Sequence, residues 1–173
     1  MKATIVIPNL NGAGWLRDSI ESIWAQTEQD FELIVVDNAS TDESLEIARS
    51  YVGRERYTLI ENDHNTGFSA AVNQGIRAAK GEYVVMFNND AFAEPDWLAQ
   101  LIAAAEQDER IFAVQSLMIR HFERDIADDA GDYVTLFGEL AGTPRSNGKR
   151  TGSGKNFDGC ARVGTEILCA PWL

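Results

Sequence analysis

Asn88-Asn89-Asp90 closes the apolar run Tyr83-Val84-Val85-Met86-Phe87. Five such residues bounded by polar ones read as a buried strand of a parallel sheet. In open α/β sheets, ligands bind beyond the carboxyl ends of the strands. A carboxylate held there beside two amides offers hard oxygen ligands to Mg²⁺ or Mn²⁺. Those cations commonly share their coordination between one or two side chains and a substrate's phosphates. The plain alternative is a turn that only stops a strand.

Three more polar clusters fall at or just past apolar runs: Pro8-Asn9-Leu10-Asn11, Asp37-Asn38-Ala39-Ser40-Thr41-Asp42, and Asn65-Thr66-Gly67 with Asn73. If the runs are parallel strands, all the clusters line one rim. Such a rim is rich in amides and carboxylates and poor in Lys and Arg. It suits a nucleoside's polar edges and a metal-bridged diphosphate better than a bare phosphate gripped by cations. Asp37 directly follows apolar strand residues, where no helix yet needs a cap. It is therefore expected to accept a hydrogen bond from a base N–H or a ribose hydroxyl. Asp42 is better read as a helix cap. Asn11-Gly12 has a simple turn as its alternative. Asn73 lies in a helical segment, where Asn is a poor helix former, and either faces the cleft or is a solvent-exposed compromise.

The elements that must position these groups alternate along the chain. Thr4 to Pro8 is a β-branched run, and Trp15 to Gln26 places Leu16, Ile20, Ile23 and Trp24 at helical spacing. Phe31 to Val36 reads as a strand, and a capped helix follows to Tyr51. Tyr57 to Glu61 is a further strand. Phe68 to Ala79 is a helix with Gly81 as its stop. After the Tyr83 strand, Glu94-Pro95-Asp96 opens a helix to about Gln107. Ile111 to Leu117 looks like another strand. Strands separated by helices imply βαβ units, hence an α/β fold with a mainly parallel sheet and helices on both faces. Periodicity fades beyond Met118. The expected organisation is one domain, with an α/β region over 1–120 and a poorly patterned region over 121–173. The latter carries Asp125, Asp128, Asp129 and Asp132, then a glycine-rich basic stretch from Gly148 to Lys155. That stretch is either a solvated connection or a lid whose cations cover a diphosphate.

Several classes are excluded. A Rossmann dehydrogenase needs Gly-x-Gly-x-x-Gly after its first strand, and the spacing of Gly12 and Gly14 fails. No P-loop signature occurs, and no Gly-x-Ser-x-Gly elbow accompanies the two histidines, His64 and His121. The formal net charge of −12 over 173 residues argues against a nucleic-acid partner. Hydrophobic residues at 45% and charged residues at 24% are ordinary for a soluble globular protein. No apolar stretch approaches the roughly 18 residues of a membrane span. With no signal-peptide pattern, a cytoplasmic location is expected. Cys160 and Cys169 lack metal-site spacing and read as free thiols.

In order and spacing, residues 4 to about 100 resemble glycosyltransferase family 2, the inverting enzymes of GT-A fold. The matching segments are Ile5 to Asn11, Leu16 to Ile23 with Gln26-Thr27, Val35 to Asp42, Asn65-Thr66-Gly67-Phe68 with Asn73 and Gly75, and Gly81-Glu82-Tyr83 running into Asn88-Asn89-Asp90. The Asn-x-Gly-Phe and Asn-Asn-Asp forms look most like the bacterial rhamnosyl- and galactosyltransferase branch of surface polysaccharide synthesis. The resemblance implies a UDP- or dTDP-linked sugar donor and a saccharide or lipid-linked acceptor. It also implies Mg²⁺ or Mn²⁺, and through such an acceptor a peripheral site at the inner face of the membrane. It implies that Pro8, Asn9, Leu10, Asn11, Asp37, Asn65, Gly67, Asn73, Asn88 and Asn89 bind the donor nucleotide, and that Asp90 with Asn88 holds the metal. Asn88 stands where the family has its first acid, so the metal site should be weaker. Leu10 stands where relatives stack an aromatic on the base. The family's general base lies downstream in an acidic pair, and none follows here. Asp128, Asp129 and Asp132 have no positional warrant for that role. The chain thus looks like a donor-binding half, truncated or completed by another polypeptide. The alternative is a catalytically silent nucleotide-sugar-binding domain.

Overall fold

The computed structural model describes residues 1–120 and, beyond them, the strands over 127–129, 132–134, 140–142 and 160–169; side chains are described through residue 119. The stretch from Gly148 to Lys155 lies outside the described residues. Two compact units form, Met1–Ala91 and Phe92–Leu173. This division follows contacts between elements, whereas the boundary expected near 120 follows the fading of periodicity.

The first unit contains β1 (Ala3–Asn9), α1 (Leu16–Trp24), β2 (Phe31–Asp37), α2 (Ser44–Arg49), β3 (Tyr57–Glu61), α3 (Phe68–Ala78) and β4 (Tyr83–Met86). The four strands form one sheet in the order β3-β2-β1-β4. All its pairings are parallel, with Asn9 level with Asp37, Asp37 level with Glu61, and Val6 level with Met86. Every residue of β2 is buried, which explains a strand sequence that is apolar on both faces. Val6, Ile34 and Val36 cluster with Ala71 of α3, with Ile60 and Ala78 packed alongside. Alternation turns the fully buried Ile5, Ile7, Leu33 and Val35 to the opposite face. The right-handed crossover rule puts α1 and α2 there, because β1 to β3 run one way across the sheet and α3 brings the chain back. Leu16, Ile20 and Ile23 of α1 are correspondingly buried. Helix α3 can approach the sheet because residue 75 is glycine: a Cβ there would stand 2.2 Å from Cγ1 of Val6.

The second unit contains β5 (Ala91–Ala93, beginning at the boundary), α4 (Trp97–Ala105), β6 (Ala113–Arg120), β7 (Ala127–Asp129), β8 (Asp132–Val134), β9 (Leu140–Gly142) and β10 (Cys160–Cys169). Its larger sheet runs β5-β10-β6-β7, with β10 parallel and β7 antiparallel to β6. Strands β8 and β9 pair antiparallel. Helix α4 buries Trp97, Leu98, Leu101 and Ile102. The Trp97 indole donates to Oγ of Ser116 at 2.7 Å, which gives that buried N–H its partner.

Sequence expectation and structure agree on the elements of the first unit to within a few residues at their ends, but β4, expected as a buried strand, is the edge of its sheet and leaves Val84 and Met86 exposed. The main shift is α2, which is one short helix beginning at Ser44. Strand β6 begins two residues later than expected and extends to Arg120. The short strands β5 and β7 to β9, and β10, were not expected. Three-residue strands are too short to show alternation, and β10 changes register between Val163 and Glu166, which breaks its period.

Candidate functional site

The order β3-β2-β1-β4 contains one point where successive connections leave in opposite directions, between β1 and β4. At such a switch point the loops part and leave a crevice at the carboxyl ends of the strands. Asn9, the last residue of β1, lies on one side. Asn88-Asn89-Asp90 lies just past β4 on the other, led in by the amide of Phe87 bonding to the Val6 carbonyl at 2.9 Å. The polar clusters at the ends of β1, β2, β3 and β4 therefore share one rim.

Asn9 is only 1% exposed and is the hub of that rim. Its Nδ2 donates to Oδ1 of Asp37 at 2.8 Å, to Oγ of Ser40 at 3.1 Å and to Oγ of Ser44 at 3.0 Å. Its Oδ1 accepts from Nδ2 of Asn89 at 2.8 Å. Gly12 sits beside this pair, and a Cβ there would fall 2.3 Å from Nδ2 of Asn89 and 2.5 Å from Oδ1 of Asn9.

Asp37 is 1% exposed, and Oδ1 also accepts from Oγ of Ser40 at 2.6 Å while Oδ2 accepts from the Ser40 amide at 3.0 Å. A buried carboxylate so supplied organises the turn after β2. That turn includes Ala39 at a φ of 66°, a left-handed conformation that non-glycine residues rarely adopt outside constrained sites. Asn11, also left-handed at 53°, accepts the Thr41 amide at 2.8 Å and donates its own amide to Ser40 at 3.0 Å. Asp42 accepts the Ser44 amide at 3.0 Å and the Ala13 amide at 2.9 Å, and takes the Ser44 hydroxyl as well. Burial opposes its ionised form, but the bonds from Ser44 and Ala13 outweigh it and hold this carboxyl below its ordinary value. Asp42, expected as a helix cap, lies one position before the N-cap of α2, Glu43, and instead fastens the β1–α1 loop to the first residue of the helix.

Beyond β3 the loop is fastened to Asn38. That side chain donates to Oδ1 of Asn65 at 2.8 Å, and its Oδ1 accepts the amide of Thr66 at 3.0 Å and the Thr66 hydroxyl at 2.9 Å. Asn62 and Gln74 exchange two hydrogen bonds at 2.8 and 2.9 Å. Gly67 precedes α3 with φ at 85°, which requires glycine.

The expected site residues thus separate into two groups. Asn9 bonds to both Asp37 and Asn89 within the rim. Leu10, Asn11, Asn65, Gly67, Asn73 and Asn88 are exposed, and Pro8 and Asp90 are half-buried. The Asp90 carboxyl is pushed up by burial. Its only hydrogen-bond partner among the described residues is its own backbone amide. Beside it, the Asn88 carbonyl is fixed by Oγ of Ser19 at 3.3 Å, leaving the exposed Asn88 amide available. No group of three His, Cys, Asp or Glu side chains that could hold a metal gathers among the described residues, and Asp90 and Asn88 offer oxygen donors. Hard oxygen donors with the remaining positions open to phosphate and water fit Mg²⁺ or Mn²⁺. Ser44 and Gln74 were not anticipated as rim residues. Ser44 carried a signal as a hydroxyl two positions after Asp42, a spacing that suits a side-chain bond within a turn, whereas Gln74 carried none.

The family model described as "Glycosyl transferase family 2" matches residues 4–162. A glycosyltransferase, GlyA, of Streptococcus pneumoniae is 34% identical over 58% of this chain and 14% of its own length. A cholesterol galactosyltransferase of Borreliella burgdorferi is 35% identical over 62% of this chain and 30% of its own. The chain therefore spans less than a third of either relative. Among solved structures, S. aureus TarS 1-349 in complex with UDP-GlcNAc superposes with a TM-score of 0.63 at 22% identity, covering 69% of this chain and 35% of that one. The mannosyltransferase PcManGT of Pyrobaculum calidifontis, in complex with GDP-Man and Mn²⁺, gives a TM-score of 0.63 at 28% identity over 68% of this chain and 35% of its own.

Proposed function

The chain belongs to glycosyl transferase family 2, and from that premise we propose that its rim between β1 and β4 binds a nucleotide-diphosphate sugar and donates the sugar to an acceptor hydroxyl. The observation that carries this reading is the half-buried Asp90 carboxylate at the topological switch point, facing no cation among the described residues. The exposed residues of the β1–α1 loop and the Asn65-Thr66-Gly67 turn would take the base and ribose. The donor would be UDP- or dTDP-linked and the acceptor a saccharide or a lipid-linked one, in surface polysaccharide synthesis. A GDP-linked donor is the variant that the mannosyltransferase neighbour suggests.

In the transfer, the acceptor oxygen bonds to the anomeric carbon as the bond to the nucleotide diphosphate breaks, inverting that centre. The acceptor's proton passes to a base within hydrogen-bond reach. Residues 128, 129 and 132 lie in β7 and β8, and their side chains are outside those described, so the base stays unassigned. Mg²⁺ or Mn²⁺ held by Asp90, with the Asn88 amide oxygen, would neutralise charge developing on the leaving diphosphate. No helix among the described residues is long and apolar enough to cross a membrane.

The test is release of nucleotide diphosphate from UDP-, dTDP- and GDP-sugars, with Mn²⁺, with and without saccharide acceptors. Acceptor-stimulated release from one donor class is the expected result. Metal-dependent nucleotide binding without release would instead favour a silent donor-binding domain. Absence of both would contradict the proposal.

A further inference from the structure

The residue between Asn88 and Asp90 has a role that its position beside a cation site conceals. Oγ of Ser40 gives its proton to Oδ1 of Asp37, and Oγ of Ser44 gives its proton to Asp42. Both hydroxyls therefore have lone pairs left, and both accept from Asn9 together with the Asp37 carboxylate. Three acceptors on one side fix the amide's orientation, with Nδ2 toward β2 and α2 and Oδ1 toward β4. The group facing that oxygen must be a donor. Asn89 supplies one, at 2.8 Å. Asn9 is too buried, at 1% exposure, to spend its amide on a ligand.

Resting on the donor-site reading above, we infer that the Asn9–Asn89 hydrogen bond is the tie that sets Asp90 relative to the nucleoside half of the rim, and that Asn89 is a positioning residue, not a metal ligand. The bond crosses the switch point from the last residue of β1, beyond the final β1–β4 bond from the Phe87 amide to the Val6 carbonyl, and acts beside the Ser19–Asn88 bond on the turn after β4. Gly12 is the second part of the device, because only glycine leaves room for the pair.

The tie makes an unusual demand on residue type. A carboxylate at 89 would raise the negative charge beside the cation, and electrostatics alone would tighten Mn²⁺ binding. It would also set one acceptor against another across the switch point and break the tie. The two roles therefore predict opposite signs for Asn89→Asp.

Calorimetry of the 173-residue chain with UDP, with and without Mn²⁺, measures the coupling between nucleotide and cation. Ligand-observed NMR with uridine measures the nucleoside half alone. The expected result for Asn89→Asp is loss of about tenfold of the Mn²⁺-supported UDP affinity, with uridine affinity held within about threefold. Gly12→Ala, which alters no charge but forces the pair apart, should reproduce that loss, and thermal unfolding of both variants verifies that they fold. Unchanged or tighter Mn²⁺-supported binding in Asn89→Asp, or intact coupling in Gly12→Ala, would overturn the inference while leaving the donor site standing. A wild-type chain whose UDP affinity ignores Mn²⁺ would overturn both.

Discussion

Two aspartates on the rim respond to their surroundings in opposite ways, and pH separates them. Burial raises the Asp90 carboxyl above its ordinary 3.8, so the folded state holds its proton more tightly than the unfolded chain. Stability from this group therefore falls as pH rises through the folded value and is greatest below it. Asp90→Asn should consequently melt higher than wild type near neutral pH, with the gap closing as pH drops below 3.8, while losing metal-supported nucleotide binding. Asp42 behaves conversely. Its carboxyl is lowered from 3.8, so its contribution is present above that pH and fades as pH falls through the lower, folded value. Denaturant unfolding of Asp42→Ala at pH 7 should show a loss of about 1 kcal/mol, from the amide bonds of Ala13 and Ser44 that it leaves unmade, and the loss should shrink in acid. The sequence revealed which strand ends carry amides and acids, but not where those side chains point. Asn9 and Asn89 look like ligand-facing groups in a string of letters. In the fold the three acceptors around Nδ2 turn Asn9 inward, and the direction depends on Ser40 and Ser44, more than thirty residues away.

At the scale of elements, the first unit was legible because buried parallel strands and amphipathic helices leave strong periodic marks. Tyr57–Glu61 was read with its observed bounds, and Phe68–Ala78 to within one residue. What periodicity misses is closeness of approach. Gly75 reads as a poor helix residue until α3 is laid across Val6. Gly75→Ala should therefore destabilise by about 1–3 kcal/mol despite the better helix propensity of alanine, through overpacking. Adding Val6→Ala should recover part of that loss, a coupling that urea unfolding of the double-mutant cycle would measure. Additive losses would mean that α3 does not lean on Val6. The second unit was less legible for a different reason. Its larger sheet holds β10 between β5 and β6, and β10 lies far along the chain from β6 and pairs with it through a change of register, so no local pattern announces the pairing.

For the molecule as a whole, charge and topology meet in one consequence. A chain of net charge −12 has no general attraction for a diphosphate. Affinity must come from local groups and from a cation, and the sheet order leaves one switch point, between β1 and β4, with Asp90 just past β4. The most direct measurement is therefore a calorimetric titration of UDP, repeated with GDP and dTDP, into wild type, Asp90→Ala and Asp30→Ala, each with and without Mn²⁺. Asp30 is an exposed acid just before β2, whose carbonyl accepts the Lys2 and Ala3 amides at the start of β1 and whose carboxylate pairs with the N-terminal amine, at the end of the strands opposite the rim. Mn²⁺ should strengthen nucleotide binding in wild type and Asp30→Ala and leave it unchanged in Asp90→Ala. Equal Mn²⁺ enhancement in all three proteins, or none in wild type, would contradict a cation site at Asp90.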